Sequence, residues 1–146
     1  MLASASPDVG KLLQTLVEAM GANSSDAVAA LYTEDCRLSD PLMEVTGRDR
    51  LRDACTEFLA AFRIDSIEID EVIEQLPHLA VRWSWSVTHQ GEYLGVPATG
   101  RRFDTWNVMF LELRGGLICR DLSVWDAGEL RRLEQMATGG ADPTVT

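Results

Sequence analysis

The apolar residues of this chain change their spacing once, near Ile64. Before that point they recur every three or four residues, as on one face of a helix, for example at Leu12, Leu16 and Met20. After it they alternate with polar residues, as in the run 81–87, which is typical of strands. Because the helical part precedes the part with strands, we predict an α+β fold with helices on one face of an antiparallel sheet.

Capping and turn residues set the expected ends of these elements. Ser6-Pro7 starts a first helix that ends near Gly21, and Ser24 or Ser25 starts a second, shorter one with apolar positions at Val28, Leu31 and Tyr32. The remaining predicted elements, in chain order, are a strand over 36–40, a loop over 41–47, a third helix over 51–62, strands from 64, over 81–87, 102–113 and 117–125, and a short last helix after the Asp126/Glu129 capping box. We therefore expect one domain over residues 1–137 and a flexible tail over 138–146.

The strand predicted over 102–113 is apolar on both faces. Met109 and Leu111 lie on one face, and Val108 and Phe110 lie on the other. A sheet of this kind must be covered on both sides. Since the helices cover one face, we expect a homodimer through the other.

The charge and the longest apolar run exclude two classes of partner. The net charge is -10, from 13 Lys and Arg against 23 Asp and Glu, and an acidic chain repels polyphosphate. The longest apolar run, over 27–32, is far shorter than the ~18 residues that a membrane helix needs. Neither a nucleic acid nor a membrane is an expected partner. With no signal-peptide pattern, we expect a cytoplasmic protein.

The sequence also lacks the usual devices for metals and cofactors. Its three cysteines are widely spaced and its two histidines do not form a metal-binding motif. It has no glycine-rich nucleotide motif and no nucleophile elbow. We expect neither a metal nor a cofactor, so chemistry would depend on carboxylates, amides and aromatic side chains.

Several short segments carry a family resemblance. They are Tyr32-Thr33-Glu34-Asp35, Ser39-Asp40-Pro41, Gly47-Arg48, the run 95–101 and Val124-Trp125-Asp126. With the predicted order of elements, residues 8–137 resemble the SnoaL-like polyketide cyclases of the nuclear transport factor 2-like superfamily. The resemblance implies a cone-shaped, curved antiparallel sheet wrapped around three N-terminal helices, a cystatin-like α+β barrel, with a short C-terminal helix.

Within that superfamily, ketosteroid isomerase offers the nearest parallel for chemistry. Its proton-shuttling base corresponds to Asp40, and its second oxyanion donor to Asn107, whose amide can also donate a hydrogen bond. Its oxyanion tyrosine falls on Leu16, which has no hydroxyl. The aromatic floor of its pocket falls on Trp125. The resemblance thus implies a base that faces an amide donor across an apolar cavity.

Other members of the superfamily depart further from this sequence. The Asp-Arg-Asp set of limonene epoxide hydrolase would need an acid at Ser84 and at Ser123. In the SnoaL-like cyclases an acid stands where this chain has Ser123, so the resemblance implies that this acid is either absent here or has moved to Asp121. Strand alternation places Cys119, Asp121, Ser123 and Trp125 on one face, which we expect to face the cavity.

Structural roles compete for the same residues. Asp40 before a proline can serve as a turn residue, and Asn107 can be satisfied within the sheet. Asp121 can form a salt bridge at the rim, and Asp126 fits a helix cap. Which of the acids Asp104, Asp121 and Asp126 faces the pocket stays open at this point.

The function we predict is a cofactor-independent cyclase or isomerase that uses general acid-base catalysis on an apolar polyketide- or terpenoid-type molecule. Its expected catalytic residues are Asp40, Asn107 and Asp121, and its expected substrate-binding residues are Leu16, Phe58, Trp83, Met109, Ser123 and Trp125. Two alternatives remain: a non-catalytic ligand-binding or dimerisation module, and an enzyme that opens epoxides to form oxygen rings or diols.

Overall fold

The computed structural model describes residues 5–137, which form four helices and six strands. The helices are α1 Pro7–Gly21, α2 Ser25–Ala29, α3 Arg48–Ala61 and α4 Gly128–Ala137. The strands are β1 Tyr32–Ser39, β2 Glu44–Thr46, β3 Phe62–Gln75, β4 His78–His89, β5 Arg102–Arg114 and β6 Leu117–Trp125. The tail expected over 138–146 lies outside the described residues.

The six strands form one sheet in the order β2-β1-β6-β5-β4-β3. Neighbouring strands are antiparallel except for β1 and β6, which run parallel. The parallel pair was not predicted, because it joins segments more than 80 residues apart and alternation says nothing about which strands become neighbours. The α+β architecture itself is confirmed.

Helix α1 packs on the inner face of this sheet. Its first turn contains Pro7, and its apolar stripe, Val9, Leu12, Leu13 and Leu16, is buried. Each such side chain contributes roughly 1.5–3 kcal/mol when it leaves water. The Ser6 hydroxyl caps no backbone group and instead donates to Glu74 Oε1 at 2.7 Å, which ties the start of α1 to β3.

Two predicted boundaries near the second helix were wrong. The helix stops at Ala29, and the strand begins already at Tyr32 rather than at Cys36. Tyr32 is buried because β1 pairs with β6. It therefore belongs to the apolar face of the sheet and not to the apolar face of a helix. The loop expected over 41–47 contains the short strand β2.

A bulge in β6 changes which side chains share a face. Glu112 is opposite Arg120 and Leu113 is opposite Ile118, so Cys119 is an extra residue in the ladder. Ile118 is therefore in the core at 0% exposure. The expectation that Cys119 shares the face of Asp121 by simple alternation was wrong, because the bulge lies between them.

The outer face of the sheet is apolar and exposed. Phe110 and Leu122 are directly opposite each other on β5 and β6, as are Val108 and Val124. Phe110, Leu122 and Val124 expose 49%, 45% and 42% of their surface. Among the described residues, no helix is long and apolar enough to cross a membrane.

Candidate functional site

A cavity of about 230 Å³ lies between the inner face of the sheet and the helices. Its wall is mainly apolar, with polar side chains at Tyr32, Asp40, Cys55, Tyr93, Thr105, Asn107, Asp121, Ser123 and Glu129. The nine side chains that the sequence assigned to the site all line this cavity: Leu16, Asp40, Phe58, Trp83, Asn107, Met109, Asp121, Ser123 and Trp125. The structure therefore brings them together around one space, and their roles remain predictions.

The other two acids lie elsewhere. Asp104 is exposed and borders a depression on the outer side of the sheet. Asp126 precedes α4, where its Oδ1 accepts a hydrogen bond from the backbone N–H of Gly128 at 2.8 Å. Of the last-strand and hairpin acids that the sequence left open, only Asp121 lines the cavity.

Asp121 is buried on β6, where both of its carboxyl oxygens accept hydrogen bonds. The Tyr32 hydroxyl donates to Oδ2 at 2.7 Å, and the Ser123 hydroxyl donates to Oδ1 at 2.9 Å. The pKa of Asp121 is raised to about 6, mainly because the carboxyl is buried; the hydrogen bonds from Tyr32 and Ser123 lower it, and the negative charge of Asp40 adds a smaller increase. With 2% of its surface exposed, Asp121 does not form the rim salt bridge considered from the sequence.

Tyr32 holds Asp121 and was missed by the sequence analysis. Burial, followed by the Asp121 charge, raises the pKa of Tyr32 well above 10, so its hydroxyl keeps its proton and acts as a donor. Arg48 fixes the start of β1 by donating two hydrogen bonds, at 2.9 and 2.6 Å, to the Tyr32 carbonyl. The spacing of the apolar residues places Tyr32 on a helix face, and this pattern gives no indication that its hydroxyl has a role in the site.

Asp40 combines the turn role with a place on the cavity wall. Its Oδ1 accepts hydrogen bonds from the backbone N–H groups of Leu42 and Met43 at 2.7 and 2.9 Å. These bonds hold the turn between β1 and β2. Among the described residues, none donates a hydrogen bond to Oδ2, so this oxygen is available for other partners.

Asn107 presents its amide nitrogen as a donor. The indole N–H of Trp85 donates to Asn107 Oδ1 at 2.9 Å, and an indole can only donate, so the amide oxygen is assigned to this contact. Nδ2 donates to no acceptor within the described part of the chain. Asn107 is opposite Trp83 on β4 and Trp125 on β6. Its free N–H groups therefore lie among the aromatic side chains of the cavity.

Aromatic rings form the wall near the loop that joins β4 and β5. The ring of Phe58 on α3 lies 5.2 Å from Phe62, 6.1 Å from Trp85 and 6.0 Å from Tyr93, measured between centroids. The sequence did not single out Tyr93, because its loop position carries no periodic signal. In the part of the chain that is described, no cluster of His, Cys, Asp and Glu could hold a metal ion.

Comparisons with known proteins agree with this architecture. A family model described as a SnoaL-like domain matches residues 13–121. A candidate SnoaL-like polyketide cyclase from Jannaschia sp. CCS1 superimposes with a TM-score of 0.78 at 17% identity, covering 89% of this chain and 95% of that chain. For TsrD from Streptomyces laurentii the TM-score is 0.78 at 20% identity, with 90% and 98% covered.

A third solved structure carries the same fold. It is a protein with a ketosteroid isomerase-like fold from Catenulispora acidiphila DSM 44928, in complex with trimethylamine, with a TM-score of 0.70 at 15% identity, covering 94% of this chain and 97% of that chain. No curated protein matches the chain significantly. At these identities the structural likeness establishes the fold, which confirms the fold predicted from the sequence.

Proposed function

Since the chain belongs to the SnoaL-like domain family, we propose that it is an enzyme that moves a proton within a mostly apolar small molecule, as a cyclase or an isomerase. The name of the Jannaschia relative, a candidate polyketide cyclase, agrees with this class of reaction. A polyketide- or terpenoid-type intermediate fits a cavity whose wall is mainly apolar.

The buried carboxyl of Asp121 is the observation that carries the proposal. A general base or acid works best when its pKa lies close to the working pH, and burial raises the pKa of Asp121 to about 6. A strongly shifted carboxyl in an apolar cavity is a candidate catalytic group. Near neutral pH, Asp121 can accept a proton and return it without a large cost for either state.

In the proposed reaction, Asp121 removes a proton next to a carbonyl or from a hydroxyl. Asn107 Nδ2 donates a hydrogen bond to the oxygen on which negative charge develops, and the ring of Trp125 packs against the substrate. Asp121 then returns the proton at a second atom. A placed acid-base group contributes ~10²- to 10⁴-fold and one oxyanion donor ~10²- to 10³-fold.

Asp40 acts in this scheme as a second carboxylate on the same cavity. Its negative charge raises the pKa of Asp121, so it helps to keep Asp121 basic. The sequence comparison favoured Asp40 as the base, and the free Oδ2 would permit that role. We favour Asp121 because it is the more deeply buried of the two carboxyl groups.

Deuterium exchange into a panel of enolisable bicyclic ketones, followed by NMR in D₂O, tests the proposal. Asp121→Asn should lower the exchange rate at least ~100-fold, in line with the loss of a general base. Asp40→Asn keeps the Oδ1 acceptor of its turn and should lower the rate less. Asp104→Asn removes an acid from the outer face and should leave the rate unchanged.

Three outcomes would contradict parts of the proposal. An Asp121→Asn variant as active as the wild type overturns the assignment of the base. A large loss with Asp40→Asn alone returns that role to Asp40. A wild-type protein that binds the ketones but exchanges no proton indicates a ligand-binding module instead.

A second candidate function, epoxide opening by an internal hydroxyl, is favoured by one observation. It requires two acids that face the same cavity, one to activate the hydroxyl and one to protonate the epoxide oxygen. Asp40 and Asp121 both line the cavity, whereas Asp104 does not. If hydroxy-epoxides are substrates, reaction in H₂¹⁸O should give a cyclic ether without ¹⁸O, and a labelled diol would show hydrolysis instead.

A further inference from the structure

The loop over 90–101 carries Tyr93 into the cavity wall on a well-defined turn. Tyr93 and Val96 exchange two backbone hydrogen bonds at 3.0 and 2.9 Å, and both residues are buried. Leu94 and Gly95 between them have φ values of +49° and +84°, as the central residues of a type I′ turn do. The backbone of Tyr93 is therefore fixed by its own hairpin.

The base of this loop is attached to the neighbouring elements. The backbone N–H groups of Gln90 and Gly91 both donate to the carbonyl of Ala61 at the end of α3, at 2.8 and 3.0 Å. The N–H of His89 donates to the carbonyl of Arg101 at 2.8 Å. These bonds hold both ends of the loop against the sheet and α3.

The ring of Tyr93 is held by edge-to-face packing. Its centroid lies 6.0 Å from that of Phe58 and 5.2 Å from that of Phe62, with interplanar angles of 85° and 69°. Phe58 also packs edge-on against Trp85, which binds Asn107. The same aromatic layer therefore positions Tyr93 and the proposed oxyanion donor.

The hydroxyl of Tyr93 lines the cavity and has no hydrogen-bond partner among the described residues. In the part of the chain that is described, it forms no hydrogen bond, although Tyr93 exposes only 7% of its surface and lines the cavity. Tyr32, by contrast, gives its hydroxyl to Asp121 at 2.7 Å. A hydroxyl that lines the cavity and has no partner in the described chain can donate to an acceptor that a ligand supplies.

The charges around Tyr93 define what kind of acceptor fits. Burial, then the nearby carboxylates of Asp40 and Glu57, raise the pKa of Tyr93 to about 12, so the phenol remains a donor at any working pH. The same carboxylates repel an anionic ligand group at this place. A neutral oxygen is therefore the acceptor that this end of the cavity favours.

We propose that Tyr93 is a specificity-determining residue whose hydroxyl donates a hydrogen bond to a neutral carbonyl or hydroxyl oxygen of the substrate. The inference rests on the proposed function, which needs an oxygenated apolar substrate, and it narrows that class to ligands with a neutral oxygen beside Asp40. It assigns a donor to the loop over 90–101, separate from Asn107 on β5.

Calorimetric binding of three matched probes tests this inference: 2-tetralone, the hydrocarbon tetralin and tetralin-2-carboxylate. The wild type should bind the ketone more tightly than the hydrocarbon, and the carboxylate most weakly. Tyr93→Phe removes only the hydroxyl and should weaken ketone binding about tenfold, which is the worth of one hydrogen bond of roughly 1.4 kcal/mol, while tetralin binding stays unchanged. The melting temperature should change little, because the ring contacts remain.

The inference is wrong if the wild type does not prefer the ketone, if Tyr93→Phe binds the ketone as the wild type does, or if both probes weaken equally. If tetralin-2-carboxylate binds more tightly than 2-tetralone, the proposed preference for a neutral oxygen is wrong. These results concern binding alone. Asp121→Asn should lower the rate of proton exchange at least ~100-fold and retain the ketone preference, so a failure of the proposed function can be told apart from a failure of the role of Tyr93.

Discussion

The buried carboxyl of Asp121 makes the stability of the folded protein depend on pH. Its pKa is raised from 3.8 to about 6, so the folded state favours the protonated form. The stability that this preference contributes is complete below pH 3.8 and is lost as the pH rises through about 6. Above that range the fold carries a buried negative charge, which the hydrogen bonds from Tyr32 and Ser123 only partly offset.

The neutral variant Asp121→Asn should therefore gain stability relative to the wild type as the pH rises. Between pH 4 and pH 8, the difference in unfolding free energy between the two proteins should shift by roughly 2.5 kcal/mol in favour of the variant, since one pKa unit corresponds to 1.36 kcal/mol and the change begins just below pH 4. Urea unfolding at each pH measures this difference, and other titrating groups cancel in it. If the difference in unfolding free energy does not vary with pH, the pKa of Asp121 is not raised in the folded state.

The sequence predicts which side chains lie together in the site only where these residues are near neighbours along one strand. Alternation along β6 grouped Asp121, Ser123 and Trp125 correctly, because no bulge interrupts that stretch. The hydroxyls of Tyr32 and Tyr93 were missed. Tyr32 donates to a residue 89 positions away, and Tyr93 reaches the cavity wall only because a loop hairpin places it there. Long-range pairing of this kind leaves no periodic signal.

The elements themselves were predicted well wherever one face is continuous over many residues. Helix α1, the strands β4 and β5, and the part of β6 after Cys119 follow their expected spacing. The short strand β2 and the bulge at Cys119 were not predicted, because both are stabilised by pairing with other strands rather than by their own sequence. The same limit explains the unpredicted parallel pair.

A glycine-to-alanine substitution in the loop over 90–101, with a second one in α1 as its control, tests how tightly the loop is attached to α3. A methyl group on Gly91 would lie 2.7 Å from the carbonyl oxygen of Ala60, so Gly91→Ala should lower the unfolding free energy by about 1–3 kcal/mol. Gly10, inside α1, has no atom within 4 Å of an added methyl group. Gly10→Ala should instead raise it by about 0.5–1 kcal/mol. Urea unfolding of both variants measures these changes. If Gly91→Ala leaves the unfolding free energy unchanged, the loop can shift to make room for the methyl group and is not tightly attached to α3.

At the scale of the molecule, the outer face of the sheet has the features of an interface. Ile73, Ala80, Phe110 and Leu122 form one row across four strands, and next to it lie Val108 and Val124. Contiguous exposed apolar surface of this kind is rare on monomers. We propose that a second copy of the chain covers this face, as the apolar pattern on both faces of β5 suggested.

Phe110→Asp should dissociate this dimer by placing a charge at the centre of the face. Sedimentation at micromolar concentration should show a dimer for the wild type and a monomer for the variant, with an unchanged circular dichroism spectrum. Leu94→Asn removes an equally exposed leucine from the loop over 90–101 and should remain dimeric. A monomeric wild type would contradict the interface.

The bulge at Cys119 separates β6 into two stretches with different parity. Beyond it, Asp121, Ser123 and Trp125 line the cavity, while Leu122 and Val124 are exposed on the outer side. The cavity wall and the outer face that we propose as the dimer interface thus draw on alternate residues of one five-residue segment. Substitutions at 121, 123 and 125 would change the cavity wall and leave the outer face as it is, and substitutions at 122 and 124 would do the reverse. The two faces can therefore evolve, or be engineered, separately along the same strand.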